Sequence, residues 1–159
     1  MLTFEPITAY PKGTLHAQLF DAYSFSSACL AHWNDDWREY DSFMYSNPQI
    51  ANACGFVSVL NGQPIGHVTW DPRHIPDYAI LGHNCILTAY KGHGYGKAQL
   101  HEAIRRLRMT GVQKIIVTTN ELLLPAQRNY ESAGFIKVNE WTNDRFSFAG
   151  NLIDYELIL

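Results

Sequence analysis

The chain has 159 residues, of which 47% are hydrophobic and 17% charged, and carries a formal net charge of −3. That length suits one ordinary domain, residues 1–159, with a core of its own. The mild negative charge offers no general attraction for nucleic acid, and no run of about eighteen or more apolar residues exists to span a membrane. Three cysteines, odd in number and scattered without a C-x-x-C, argue against a disulfide framework and a structural zinc site.

The opening MLTFEPITAYPKG lacks a basic stretch followed by an apolar one, so no signal peptide is expected and the reading is cytoplasmic. Residues 2–7 alternate enough for a short strand, ended by Pro11-Lys12-Gly13. From Thr14 to about Leu30 the spacing predicts a helix with Leu15, Leu19, Ala22 and Tyr23 on one face. Residues 32–47, HWNDDWREYDSFMYSN, read as a second helix or a helix and loop, closed by Asn47-Pro48. Strands follow at 55–60 and 63–70 around Asn61-Gly62, a strong hairpin signal.

After a loop with two prolines, 78–87 is a strand that feeds a turn with glycines at 92, 94 and 96. An amphipathic helix runs on from Tyr95, with Ala98, Leu100, Ala103, Ile104 and Leu107 at helical spacing, until Gly111 stops it. Residues 114–119 make a compact buried strand, 125–133 a short helix ended by Gly134, and 135–140 and 152–159 two closing strands. Antiparallel strands followed by strand, helix and strand indicate a mixed α/β sheet, not a doubly wound parallel one.

The stretch from His83 to Met109 carries the chemistry. The first N–H groups of a helix lack intrahelical partners and sit at the positive end of its dipole, so strand, glycine turn and helix together build an anion site. Lys91 and Lys97 add charge beside it. A phosphate-binding Walker loop needs Ser or Thr after Gly-Lys, and Ala98 follows Gly96-Lys97 here. The dinucleotide fingerprint needs G-x-G-x-x-G, and Lys97 stands at its last glycine. Both nucleotide readings are disfavoured, and no G-x-S-x-G suggests hydrolysis.

Lys91-Gly92-His93-Gly94-Tyr95-Gly96 resembles the acyl-CoA loop of the GCN5-related N-acetyltransferase (GNAT) superfamily, Gln/Arg-x-x-Gly-x-Gly/Ala, with Lys in place of Gln or Arg. A second block, PAQRNYESAGF, is similar to that family's later A-x-x-L-Y-x-x-x-G-F signature, with Ala126, Tyr130, Gly134 and Phe135 in register. The two blocks stand about one helix and one strand apart, in the expected order, and the resemblance covers residues 76–141. It implies a central, mostly antiparallel sheet, flanked by helices, whose parallel strand pair splays apart to receive pantetheine. Acetyl-CoA would be the co-substrate, with no metal. Ile86, Leu87 and Thr88 would supply backbone groups to the arm, and residues 91–97 (Lys91, Gly92, His93, Gly94, Tyr95, Gly96 and Lys97) the phosphate cradle.

The resemblance places Tyr130 as the acid that reprotonates the leaving thiolate, a role a phenol with a pKa near 10 can fill. His83, on the strand entering the loop, is the base candidate, since imidazole titrates in a useful range. Glu121, Asp77, Glu140 and a water chain are alternatives. Asn120 either bonds the pantetheine arm or caps a turn; the family's usual asparagine position is Leu123 here. His67, His74 and His101 lack metal-ligand spacing and read as structural or solvent-facing.

The acidic, aromatic stretch 33–45 is either the acceptor wall, suited to a cationic amine, or core or dimer packing. The implied activity is transfer of an acetyl group to a primary amine of a small molecule, by direct attack on the thioester. The alternative is a non-catalytic acyl-CoA-binding or sensing domain of the same fold. Neither nucleic acid nor membrane is an expected partner, and a homodimer is compatible with the sequence.

Overall fold

Seven strands, β1 (Leu2–Glu5), β2 (Gly55–Leu60), β3 (Gln63–Asp71), β4 (Ala79–Ile86), β5 (Lys114–Asn120), β6 (Ile136–Trp141) and β7 (Leu152–Ile158), form one sheet in the order β1-β2-β3-β4-β5-β7-β6. Five helices accompany them: α1 (Thr14–Ala22), α2 (Ser27–Ser46), α3 (Pro48–Ala53), α4 (Tyr95–Arg108) and α5 (Leu124–Ser132). These come from a computed structural model that describes residues 1–142 and 149–159. Every strand pair is antiparallel except β4 with β5. The expected mixed sheet, mostly antiparallel with one parallel pair and flanking helices, is therefore present. Among the described residues no helix is long and apolar enough to cross a membrane.

Two apolar layers sandwich the sheet. On one face, Leu100, Ala103, Ile104 and Leu107 of α4 and Tyr130 of α5 meet Phe56, Val68, Leu81, Ile115, Val117 and Tyr155. On the other, Leu19 and Ala22 of α1 and Cys29 and Trp37 of α2 meet Cys85 of β4. Leu100 and Leu107 are fully buried, and truncating either to Ala would cost about 2–5 kcal/mol.

Local chemistry explains where elements begin and end. Asn61 and Gly62 both take positive φ, 50° and 82°, the geometry a two-residue hairpin between β2 and β3 requires. β1 stops at Glu5 because Pro6 has no N–H for the ladder. The helix expected over 14–30 is two helices: α1 ends at Ala22, and Ser26 restarts the chain by accepting the N–H of Cys29 at 3.1 Å. Asn47-Pro48 ends α2 as expected, with Asn47 its C-cap, and also opens α3, because proline fits the first helical turn.

The acidic, aromatic stretch divides: one side packs on the core, while Asp35, Asp36 and Glu39 are exposed. Trp37 and Met44 are buried, and the buried Asp41 accepts the N–H groups of Gly13, Leu15 and His16 at 2.9, 3.1 and 3.2 Å. Gly13 gives α1 no side-chain cap of its own; a carboxylate from α2 supplies it, at the end of the helix where negative charge is favoured.

The feature that shapes a site lies in β4. Val68 pairs with Asn84 but Trp70 pairs with Leu81, so β4 holds one extra residue, a bulge at Gly82-His83 opposite Thr69. β4 then pairs with β5 only at Ala79↔Ile115 and Ile80↔Ile116. Beyond Ile80 the two strands part, and a groove opens between their C-terminal ends.

Candidate active site

Backbone alternation decides which groups line the groove. The N–H of Leu87 donates to the carbonyl of Ile65 at 2.7 Å, so Leu87 and Cys85 turn their polar groups to β3, and Ile86 and Asn84 turn theirs the other way. That way lies the gap left by β5. Of the three residues expected to offer backbone groups, Ile86 is thus the one facing the groove. The N–H of Thr88 is held by the Asp21 carboxylate at 2.6 Å, and its hydroxyl donates to the Asp21 carbonyl at 2.9 Å.

The glycine turn sits at the groove's end. Gly92 and Gly94 take φ of 80° and 83°, and a methyl group on either would meet nothing within 4 Å. Gly94 is the N-cap of α4 and no side chain caps that end, so the N–H groups of residues 94–97 are presented outward, unpaired within the helix. Gly96 lies inside the helix, and its carbonyl accepts the amide of Asn129 on α5 at 3.2 Å. His93 is exposed and Tyr95 half-buried, their rings 6.0 Å apart. Lys97 is exposed in the first turn of the helix.

Tyr130 reaches the groove from α5. Its ring is buried against Phe135 and Tyr155, and its hydroxyl accepts a hydrogen bond from the Asn84 amide at 3.5 Å. Burial pushes the phenol pKa above its usual 10 and the Asn84 bond opposes that in part, so the hydroxyl is protonated at neutral pH. On the opposite face of the sheet, His83 packs against Tyr40 with ring centroids 4.3 Å apart. Burial lowers the His83 pKa to about 4, so the imidazole is neutral and able to accept a proton.

Residues 18–135 match the acetyltransferase (GNAT) family. The chain belongs to that family. The acyltransferase class and the sequence resemblance are both borne out. A curated relative, N-acetylaspartate synthetase of Danio rerio, is 26% identical over 112 residues, 70% of this chain; the chain spans 38% of that relative's length. Among solved structures, a GNAT family acetyltransferase from Elizabethkingia anophelis with acetyl-CoA bound superposes with a TM-score of 0.71 at 15% identity, over 99% of this chain and 98% of the other. The ribosomal-protein-S18-alanine N-acetyltransferase from Escherichia coli gives 0.71 at 20% identity, over 99% and 94%.

Within this GNAT frame some expected residues are already engaged. Lys91 turns away from the glycine turn: its ammonium donates to the Ala22 carbonyl and lies 5.3 Å from the Phe25 ring centroid. Asn120 is buried; its amide donates to the carbonyls of Ala149 and Gly150 and its oxygen accepts the N–H of Leu122, which is the turn-capping alternative. Arg105 and Arg106 pair with Glu102 in the last turns of α4, about 15 Å along the helix from the turn.

The rival bases are placed differently from His83. Asp77 precedes the closed end of the β4–β5 pair, Glu140 lies on the edge strand with Lys137 and Asn151, and Glu121 accepts the N–H of Asn151 at 2.9 Å. His67 is fully buried, its Nδ1 2.7 Å from Gln18 Oε1, while His74 and His101 are exposed. Among the described residues no three His, Cys, Asp or Glu side chains gather as a metal site.

Sequence reasoning missed Asn84, Gln99 and Asp21. Gln99, one turn into α4 and fully buried, donates to Asn84 Oδ1 at 2.7 Å and to the His67 carbonyl at 2.9 Å. A polar residue on the apolar face of an otherwise amphipathic helix was the available signal.

Proposed function

We propose that this GNAT enzyme transfers the acetyl group of acetyl-CoA to the primary amine of a small molecule. One observation carries the reading: a groove between parted β4 and β5, with an uncapped helix end at its mouth and the Tyr130 hydroxyl inside it. The residues fit the coenzyme. Outward N–H groups of residues 94–97 and the Lys97 charge suit a diphosphate, and the backbone of Ile86 and Asn84 suits an extended amide-bearing arm. Acetyl-CoA supplies the activated thioester.

The chain's own groups then divide the work. Backbone N–H on β4 is positioned to polarise the thioester oxygen. Tyr130, kept protonated by burial, gives its proton to the departing thiolate. His83 faces the acceptor side of the sheet and takes the proton from the nitrogen once it has attacked and become positively charged, because only then is that nitrogen acidic enough for so weak a base.

The acceptor enters across the α1/α2 face. There Thr118 and Asp154 flank the parted strands, the threonine hydroxyl donating to Asp154 at 2.6 Å and the Trp141 indole at 3.2 Å. A carboxylate beside an indole suits an amine-bearing molecule. The Danio rerio relative, named for N-acetylaspartate, supports a small acceptor. A cytoplasmic setting fits three buried free cysteines.

The test is thiol release from acetyl-CoA across amino acids including aspartate, polyamines, aminoglycosides and alanine-terminal peptides. Turnover with at least one small amine is expected, and Tyr130→Phe should lower kcat about 100-fold with the KM for acetyl-CoA little changed. Binding of CoA without turnover on any amine would overturn the enzymatic reading, and turnover on peptides alone would overturn the small acceptor.

A further inference from the structure

The groups behind Tyr130 form a hydrogen-bond chain whose direction can be deduced. Gln99 Nε2 lies 2.9 Å from the His67 carbonyl and 3.2 Å from the Cys85 carbonyl. Carbonyl oxygens only accept, so that atom must be the amide nitrogen, and the orientation of the Gln99 amide is fixed by backbone. Its oxygen then accepts the hydroxyl of the fully buried Ser58 at 2.7 Å. Its nitrogen also meets Asn84 at 2.7 Å, and the Asn84 atom there must be the oxygen. The other Asn84 atom, the Nδ2 facing Tyr130 at 3.5 Å, is therefore a donor.

A phenol oxygen that accepts from Asn84 keeps its own hydrogen for another partner. We propose that Asn84, oriented by Gln99, is the positioning residue that aims the Tyr130 hydroxyl hydrogen into the groove, toward the sulfur of the leaving thiolate. This rests on the acid role proposed for Tyr130. It also ties the acid to the phosphate cradle: Gln99 belongs to the helix whose first turn forms the cradle, so the two ends of the groove share one buried anchor.

The chain of bonds has a direction: two strand carbonyls set Gln99, Gln99 sets Asn84, and Asn84 sets Tyr130. Reversing the Asn84 link would turn the tyrosine hydrogen around. In Asn84→Asp, nearly the same size, an ionised carboxylate can only accept. It would draw the tyrosine hydrogen to itself and away from the groove. When that carboxyl is protonated, its O–H donates to the phenol oxygen and the original direction returns. The side chains Asn84 meets, Gln99 and Tyr130, are both neutral at pH 7, and partial burial beside them raises an introduced carboxyl above its ordinary value, so its protonated fraction grows toward the acid end of the profile.

The experiment compares kcat of wild type, Asn84→Asp, Asn84→Leu and Tyr130→Phe between pH 6 and 9, with circular dichroism melts and CoA titration for each. At pH 8 both Asn84 variants should lose about ten-fold in kcat while KM for acetyl-CoA stays within about three-fold. The ratio of Asn84→Asp to wild type should climb as pH falls, whereas that of Asn84→Leu stays flat. Should the charged variant not fold, the apolar one decides alone, and wild-type turnover in it overturns the proposal. So does an Asn84→Asp deficit with no dependence on pH. Slow Tyr130→Phe with unimpaired Asn84 variants refutes only the positioning role; fast Tyr130→Phe refutes the acid role beneath it.

Discussion

Gly96 and Gly94 stand two residues apart and are constrained by different things. Gly94 holds φ at 83° as the N-cap of α4, where a Cβ would add about 1 kcal/mol or more of backbone strain. Gly96 is helical, and a Cβ there would sit 3.7 Å from both Ile86 and Asn129, ordinary contact distance. Those neighbours are the groove-facing strand residue and the helix that carries Tyr130, so with the coenzyme placed as proposed the methyl would narrow its space without disturbing the fold. Gly96→Ala is therefore expected to melt at the wild-type temperature or a few degrees above it, since Ala outranks Gly in a helix by about 0.5–1 kcal/mol, yet to weaken acetyl-CoA binding several-fold. Differential scanning and CoA titration on the same sample check this; unchanged or tighter binding would show that the coenzyme does not pass Gly96.

At the scale of elements, the glycine turn is tied to the end of α1. The Asp21 carboxylate accepts the Thr88 N–H, the Asp21 carbonyl accepts the Thr88 hydroxyl, and Lys91 reaches the Ala22 carbonyl. Three contacts thus fix the chain just before the left-handed glycines. In Asp21→Ala this anchor loses its carboxylate, the other two contacts being to backbone carbonyls, and KM for acetyl-CoA should rise several-fold with kcat nearly unchanged, because nothing at the reacting atoms is touched; a fall in kcat at constant KM would contradict this placement.

That anchor marks the limit of what the sequence reveals. Local signals were legible: Asn61-Gly62 makes its hairpin, residues 95–108 make the amphipathic helix, and the two glycine-containing blocks identify the family because their spacing is itself local. What depended on partners far along the chain was not. Thr88 meets a carboxylate 67 residues away, Asn84 meets Tyr130 across 46, and Asp41 caps a helix 25 to 28 residues before it. Each looked like an ordinary polar residue of a strand end or helix face. Asn47-Pro48 does two things at once, since proline both ends helices and begins them, and only the residues after it decide whether a second helix follows.

For the molecule as a whole, the two histidines on the α1/α2 side of the sheet make stability depend on pH. Burial lowers His67 to about 3, with the nearby His83 adding to it, and lowers His83 itself to about 4. In the unfolded chain both would titrate near 6.5. The folded state therefore resists protons that the unfolded state accepts. Stability from this source is complete above pH 6.5 and is lost as pH falls toward 4, at up to about 1.4 kcal/mol per pH unit for each histidine. Over pH 6 to 5 ordinary carboxylates have barely begun to titrate, so the histidines dominate the slope there. Urea unfolding at closely spaced pH values should give a midpoint that falls steadily from pH 6.5 to 4.5, with about two protons taken up on unfolding at pH 5. His67→Gln should reduce that uptake to about one. A midpoint independent of pH over this interval would mean that the fold lowers neither imidazole, and His83 would then titrate near 6.5 like a free side chain, neutral above that pH but not below it.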